Sequence, residues 1–529
     1  MSPSRPWIRK AAAALLAGVL AVAGIAAPAQ TKTLRFVPQA DLKIIDPLFT
    51  TNYVARNFGY MVYDTLFAYN AAGVVKPQMV DKYTHSPDGK SWTFTLRPGL
   101  AFHDGSPVTA ADCVASLQRW GARDAHGRAL ASAGAQWTAV DDKTFALKLN
   151  EPFGPLLEAL AKVTAYPAFI LPARLAKLPD TAPLNEAVGS GPFIFKRDEW
   201  APGSKVVFVR NPKYVGRSEA PSFLAGNKTA QADRVEWVIL PDTNSAVAAL
   251  KNGEVDMIEM VPPDFINPLR ADPHVRVGNA GAFQATLILN NLHPPFDNPK
   301  VRQAVLAALD QERVVAGMGY PLDMRLKHCA TMFVCGVAGE TDAGSQNFRI
   351  PDVAKGRQML AAAGYKGEKV VVLLPTDYAS LNAGALVAIK TLKDIGLNVE
   401  TASMDWATLV VRRAKKEAPA AGGWSAYLTQ GGESVLDSPL NHFMLGAACG
   451  NTMPGWPCDK KLDALRLQWA RETVPAKRQQ VLEAFQREAF ESVPYVPAGQ
   501  FFGAFAARRE LRNVDLLAKD VPLFWVLGK

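Results

Sequence analysis

Residues 369–401 constrain the fold more than any other stretch. Lys369 to Leu374 is a nearly continuous apolar run and Leu381 to Ile395 carries helical periodicity. Gly396 closes that helix, and Asn398 to Thr401 reads as a strand again. A strand without polar alternation needs cover on both faces, so the pattern predicts a sheet flanked by helices. Strand, helix, strand in that order is the grammar of an α/β protein.

The same alternation runs along the whole chain. Thr33 to Pro38, Lys205 to Arg210 and Ala285 to Leu289 read as strands, and Ser91 to Leu96 and Thr144 to Leu149 alternate as half-buried strands do. Asn57 to Leu66, Val301 to Leu309, Lys460 to Trp469 and Ala476 to Phe490 are expected helices. Another runs from the Thr109 cap through Cys113 to Trp120, with Asp112 at its third position. The 529 residues, 49% of them apolar, suffice for two or three packed units.

The N-terminus reads as an export signal. Arg5, Arg9 and Lys10 precede an Ala/Leu/Val run from Ala11 to Ala26, and Ala27-Pro28-Ala29 offers a cleavage site with Gln30 as the mature start. The run is short and alanine-rich, unlike a membrane span. No cysteine stands near the cleavage site, so a free periplasmic protein is expected rather than a lipid-anchored one. Losing those three bases from the 58 leaves a charge of +6 against 49 acids. Bases and acids are interleaved without an arginine stripe, which argues against nucleic-acid binding.

Export gives the five cysteines a meaning. Cys329 with Cys335, and Cys449 with Cys458, could each close a small loop in an oxidising compartment, worth about 2–3 kcal/mol. Cys113 reads as a buried small hydrophobe. A zinc site on His328, Cys329 and Cys335 is the competing reading, and it lacks a C-x-x-C pair. No cofactor is expected. Enzyme signatures are missing: there is no G-x-S-x-G and no H-E-x-x-H. Gly89-Lys90-Ser91 has Thr84 where a phosphate loop needs glycine, and it leads into a strand.

A series of short motifs runs in order along the mature chain. They include Asp46-Pro47, Val62-Tyr63-Asp64-Thr65-Leu66 and the block from Ser91 to Leu100, followed by Phe102-His103-Asp104-Gly105-Ser106-Pro107. Gly189-Ser190-Gly191-Pro192-Phe193, Arg210-Asn211-Pro212-Lys213-Tyr214, Gly253-Glu254-Val255-Asp256 and Val301-Arg302-Gln303-Ala304-Val305 come later. Together they resemble the bacterial extracytoplasmic solute-binding proteins of the dipeptide, oligopeptide and nickel type. The resemblance implies an α/β, two-lobed periplasmic binding protein fold (type II, the large peptide-binding cluster) with an extra subdomain in the first lobe. It places lobe I at 30–57, 189–284 and 495–529, the inserted subdomain at 58–188 and lobe II at 285–494, after a signal peptide at 1–29. The hinge is expected near Gly281–Gln284 and Pro494–Gly499.

The resemblance also implies a site between the lobes. Trp424 matches a tryptophan that faces the cleft, and that reading is preferred to the alternative of a core residue after a glycine turn. Peptide binders carry an acid shortly after that tryptophan to pair with the ligand ammonium; Tyr427 stands there, so free-amine peptides are expected to be poor ligands. Arg413 matches a basic position near the cleft, whereas Arg412 continues a solvated face toward Lys415 and Lys416. Asn52, Tyr53 and Arg56 from the first lobe, and Gln500 and Phe501 from the returning chain, complete the expected ligand-binding set. His103 sits in a structural turn.

The expected function is therefore that of a monomeric periplasmic component of an ABC importer. It would capture a small polar or peptide-like solute by hinge closure and deliver it to an inner-membrane permease. Binding of a metal chelate or haem-like ligand, and an exported hydrolase or chaperone on the same fold, are the alternatives.

Overall fold

Two strands far longer than the rest organise the molecule. Val275–Leu289 and Val496–Arg508 run antiparallel, side by side, at the centre of a ten-stranded sheet. In this computed structural model residues 32–529 are described except 180–182, 338–339, 447–448, 450–452 and 518–520. The signal segment 1–29 lies outside the described residues.

On one side of the long pair the sheet continues through Met257–Ile258, Thr33–Val37, Arg234–Val238, Lys205–Arg210 and Phe193–Phe195. On the other side it continues through Ala426–Gly432, Lys369–Pro375 and Asn398–Met404. These two wings are the lobes. Residues 275–279 pair with 504–508 in the first, residues 282–287 with 496–502 in the second, and the ladder slips between Asn279 and Ala282. A second slip follows Ala285, opposite Gly499. Gly499 has φ +123°, and a Cβ there would stand 2.5 Å from the Gln311 carbonyl oxygen, so only glycine fits this bend.

The βαβ unit expected from the apolar run is present. Lys369–Pro375 lies parallel to both Asn398–Met404 and Ala426–Gly432, with helix Ala379–Asp394 between the first two in sequence. Val370 to Leu373 are buried, as an apolar strand covered on both faces requires. Behind the second-lobe sheet, the Arg302 guanidinium donates to the carbonyls of Phe296, Asp297, Ser492 and Val493, closing the end of helix Pro475–Ser492.

The inserted subdomain is a separate antiparallel sheet, ordered Val80–His85, Ser91–Leu96, Thr144–Lys148, Gln136–Ala139. Helix Ala110–Arg123 covers it, starting at a full capping box between Thr109 and Asp112. Phe94, Leu117, Trp120 and Phe145 form its core.

The helix expected at 57–66 covers Tyr53–Val62 instead. It stops early because Asp64 is drawn into a buried ion pair with Lys228 at 2.9 Å, while the Tyr214 hydroxyl donates to the same carboxylate. The helix crosses position 57/58 and buries Phe58 and Met61 in the first-lobe core with Trp237 and Trp525.

Both expected disulfides are formed, Cys329–Cys335 and Cys449–Cys458, with Cα separations of 6.1 and 4.3 Å. Oxidised sulfurs cannot act as thiolate ligands, so the zinc reading at Cys329 and Cys335 falls. Cys113 is buried, and desolvation pushes its thiol pKa up.

Two buried ion pairs fasten the subdomain to the first lobe: Lys228–Asp64, and Arg119–Asp46 at 2.8 Å. Breaking one half of such a pair leaves an uncompensated buried charge, at about 3–5 kcal/mol. Lys228→Met is expected to cost that much in urea unfolding, and Asp64→Asn added to it should recover most of the loss.

Candidate functional site

The lobes and the inserted subdomain enclose a cavity of about 680 Å³. One wall is the second lobe's segment 433–441, which follows strand Ala426–Gly432, together with Gly336 and Val337 beyond the Cys329–Cys335 loop. The opposite wall is the subdomain turn 69–73 with Pro155, Glu158 and Lys162, and the first lobe adds Phe223. Helix Pro475–Ser492 contributes Arg478 and Leu482.

The wall at 433–441 is where parallel-strand topology puts a site, at the carboxyl end of a strand facing a crevice. Gly432 pairs with Phe283 beside the lobe junction, whereas Ala426 pairs with Leu289 at the remote end. Six residues of strand separate those ends, roughly 20 Å.

The cavity is chemically asymmetric. Its two cations are engaged by protein carboxylates: Lys162 by Asp124, and Arg478 by Glu158 at 2.8 Å. Among the described residues no cation is paired with Asp437; it accepts from the Asn441 side-chain amide at 2.8 Å. Desolvation raises its pKa to about 6, against smaller opposing effects from Asn441, Ser438 and Lys162. The Tyr69 hydroxyl across the cavity is in turn driven up by burial and by the fields of Asp437 and Glu158. Among the described residues the Asn441 side-chain oxygen finds no donor, but it is shut off from the surface. The group this corner offers to whatever enters is the half-buried Asp437 carboxylate.

The residues expected at the site fall into three places, none of them lining this cavity. Trp424, Tyr427 and Arg413 come together, but at the remote end of the second-lobe sheet. Trp424 is fully buried, donates its indole N–H to the Arg413 carbonyl at 2.9 Å, and packs against Tyr427 and Trp456. The Arg413 guanidinium lies 5.7 Å from the Tyr427 ring centre, and burial pushes the Tyr427 pKa up to about 12. This cluster closes the sheet end beside the Cys449–Cys458 loop. The core alternative left open for Trp424 matches this geometry, and Tyr427 consequently says nothing about a ligand ammonium.

Gln500 and Phe501 lie in the long returning strand. The Gln500 side chain accepts from the Cys335 N–H and donates to the Phe333 carbonyl, clamping the disulfide loop whose neighbours Gly336 and Val337 face the cavity. Phe501 stacks between Phe283 and Tyr320. Both are buried supports.

Asn52, Tyr53 and Arg56 gather at the start of helix Tyr53–Val62. Tyr53 borders a separate cleft of about 30 Å³ with Gln39, Glu259, Phe283 and Phe505, room for little more than a water. Arg56 is buried over the Tyr53 ring at 4.5 Å and donates to Asn57, which itself donates to Glu259. Asn52 is an exposed flank.

His103 occupies the structural turn expected of it. Its ring bridges Gly191 O and Gly189 N, and burial lowers its pKa to about 4, so it is neutral.

The cavity lining includes Glu158, Lys162, Asp437, Asn441 and Arg478, which the sequence did not single out. The signal that could have found Asp437 and Asn441 is positional: they follow the carboxyl end of the strand rather than its start.

Comparison with known proteins agrees with the architecture. The family profile described as "Bacterial extracellular solute-binding proteins, family 5 Middle" matches residues 74–451. The protein described as probable peptide ABC transporter periplasmic-binding protein y4tO of Sinorhizobium fredii is 36% identical, over 97% of this chain and 98% of its own length. Among solved structures, AgaA of A. tumefaciens R10 in complex with agropinic acid superposes with a TM-score of 0.75 at 23% identity, covering 94% of this chain and 98% of that one. DppA of Helicobacter pylori in complex with the peptide STSA gives 0.75 at 20% identity, again covering 94% and 98%. The two-lobed sheet, the cavity between its wings and a profile match across well over half of the sequence lead to one conclusion: the chain belongs to the family 5 bacterial extracellular solute-binding proteins.

Proposed function

We propose that the 680 Å³ cavity is the solute site and that its cargo is a small, peptide-like solute carrying a cationic amine. The observation that carries this reading is the Asp437 carboxylate, oriented by the Asn441 amide, in a cavity where the cations Lys162 and Arg478 already have carboxylate partners. A volume in this range suits a small solute, and Phe223, Val337, Trp469 and Leu482 supply apolar wall for its side groups. The relatives' descriptions as peptide binders support the class. An ordinary free-amine peptide is thereby favoured, against the expectation drawn from Tyr427.

Family membership supports the rest of the reading. The protein works as a periplasmic monomer that hands its cargo to an ABC permease, releasing it chemically unchanged. No helix among the described residues is long and apolar enough to cross a membrane. We place the hinge at the two register slips of the long strand pair, and the inserted subdomain between residues 64 and 170, moving with the first lobe.

An ionised carboxylate in the corner is costly to the folded protein, which is a mark of a functional group. Because the folded pKa of Asp437 lies above the ordinary value of 3.8, folding favours the protonated form. Stability is therefore lost as pH rises from about 4 to about 6, by roughly 2–3 kcal/mol. Asp437→Asn should match wild type near pH 4 and exceed it in melting temperature at pH 8.

The same variant should bind an amine-bearing tripeptide about 10–100-fold more weakly in calorimetry, because an ammonium loses its counter-charge. N-acetylation of the peptide should weaken wild-type binding similarly. An acetylated peptide that binds as tightly as the free amine would overturn the assignment. Arg413→Ala, at the remote sheet end, should change affinity by less than about twofold, as expected for distant independent sites.

A further inference from the structure

We propose that the inserted subdomain and the second lobe carry a latch, formed by residues 151–158 against the helical elbow 469–478, that sets how much of the protein is closed. The inference rests on reading the cavity as the solute site, and it concerns the regulation of that site.

The elbow joins helices Lys460–Arg471 and Pro475–Ser492. Three polar contacts reach it from the subdomain. The Gly154 N–H donates to the Ala470 carbonyl at 2.8 Å. Arg471 pairs with Glu151 at 2.7 Å, and Arg478 pairs with Glu158 at 2.8 Å. Ala470 and Leu440 of the second lobe are buried in the subdomain's own apolar core, with Trp469 packed alongside. The Arg478 guanidinium also lies 5.5 Å from the Trp469 ring centre.

The fit is tight. A Cβ on Gly154 would stand 2.0 Å from the Glu472 carbonyl oxygen, closer than any side chain tolerates. Nothing else requires glycine there, since its backbone is outside the positive-φ set. The close approach is made only to the other lobe.

These contacts differ in kind from those holding the subdomain to the first lobe. Asp64–Lys228 and Asp46–Arg119 are buried pairs, with side chains at most 3% exposed. The latch pairs are 22–58% exposed. Exposed pairs are individually weak and exchange readily with water. The subdomain is therefore bolted to one lobe and clipped to the other. Contacts present only when the lobes meet shift the open–closed equilibrium by their whole free energy, and affinity scales with the closed fraction. Glu158 and Arg478 also line the cavity, so the clip sits at its wall.

Small-angle scattering on the mature chain without solute tests this. Gly154→Ala, Glu158→Arg and Arg478→Glu should each raise the open-to-closed ratio several-fold, about threefold or more, seen as a larger radius of gyration. Unchanged near-ultraviolet circular dichroism should show that the lobes stay folded. The double variant Glu158→Arg/Arg478→Glu restores opposite charges and should return the radius to that of wild type. Scattering from the single variants superimposable on wild type would overturn the proposal. So would a double variant as expanded as its parents, and the charge pair provides that test even if Gly154→Ala fails to fold. The readout needs no solute, so it stands or falls apart from the Asp437 assignment.

Discussion

The antiparallel pairing of Val275–Leu289 with Val496–Arg508 is the constraint on which the rest of the molecule depends. Main-chain hydrogen bonds run along both strands from one lobe into the other, so the sheet is a single object that happens to have two wings. Its ladder gives way only at the slips near Gly281 and Gly499. A continuous ladder transmits position stiffly, whereas a slip removes bonds and leaves a place for backbone angles to change. Apolar packing is continuous past the junction on one face: Ile266 and Val275 share a core with Leu287 and Phe501. The slips are therefore where the proposed hinge would let the backbone turn while the shared core keeps the strands side by side.

That arrangement determines where chemistry can occur. Parallel strands in the second lobe all point their carboxyl ends to the same side, and the segment after Gly432 is delivered to the crevice. At the other end of the same strand, Trp424, Tyr427 and Arg413 satisfy one another, and the indole N–H and the ring faces are used up in holding the sheet together. An aromatic and basic cluster of this composition resembles a binding site in sequence. In space it is a closed knot.

The cavity itself combines paired and unpaired polarity. Lys162 and Arg478 are already answered by carboxylates, which lowers their value to an anionic ligand. Asp437 is held by an amide and by burial. A carboxylate that is costly to keep ionised gains most from a cation that enters with its own desolvation offset by the site. On the proposed assignment, stability and recognition pull in opposite directions at Asp437, which is common where a fold carries a function.

Much of the fold was legible in the chain. The apolar run at 369–374, the capping residues Thr109 and Asp112, the alternation at 91–96 and the spacing of the four paired cysteines are local signals, and each corresponds to an element or bond that is present. Helix Tyr53–Val62 was misplaced because its end is set by Lys228, more than 160 residues away, through Asp64. The ordered motifs identified the family, and with it the two-lobed architecture. The site residues were less legible. Which end of strand Ala426–Gly432 faces the junction, the end beside Trp424 or the end that leads to Asp437, is decided only by the pairing with Val275–Leu289. Local periodicity therefore determined the elements, and the ordered motifs, through the family resemblance, the class of protein. Tertiary structure alone decided which polar groups remain for a ligand, because burial and charge pairing are properties of neighbours that the chain brings together from far apart.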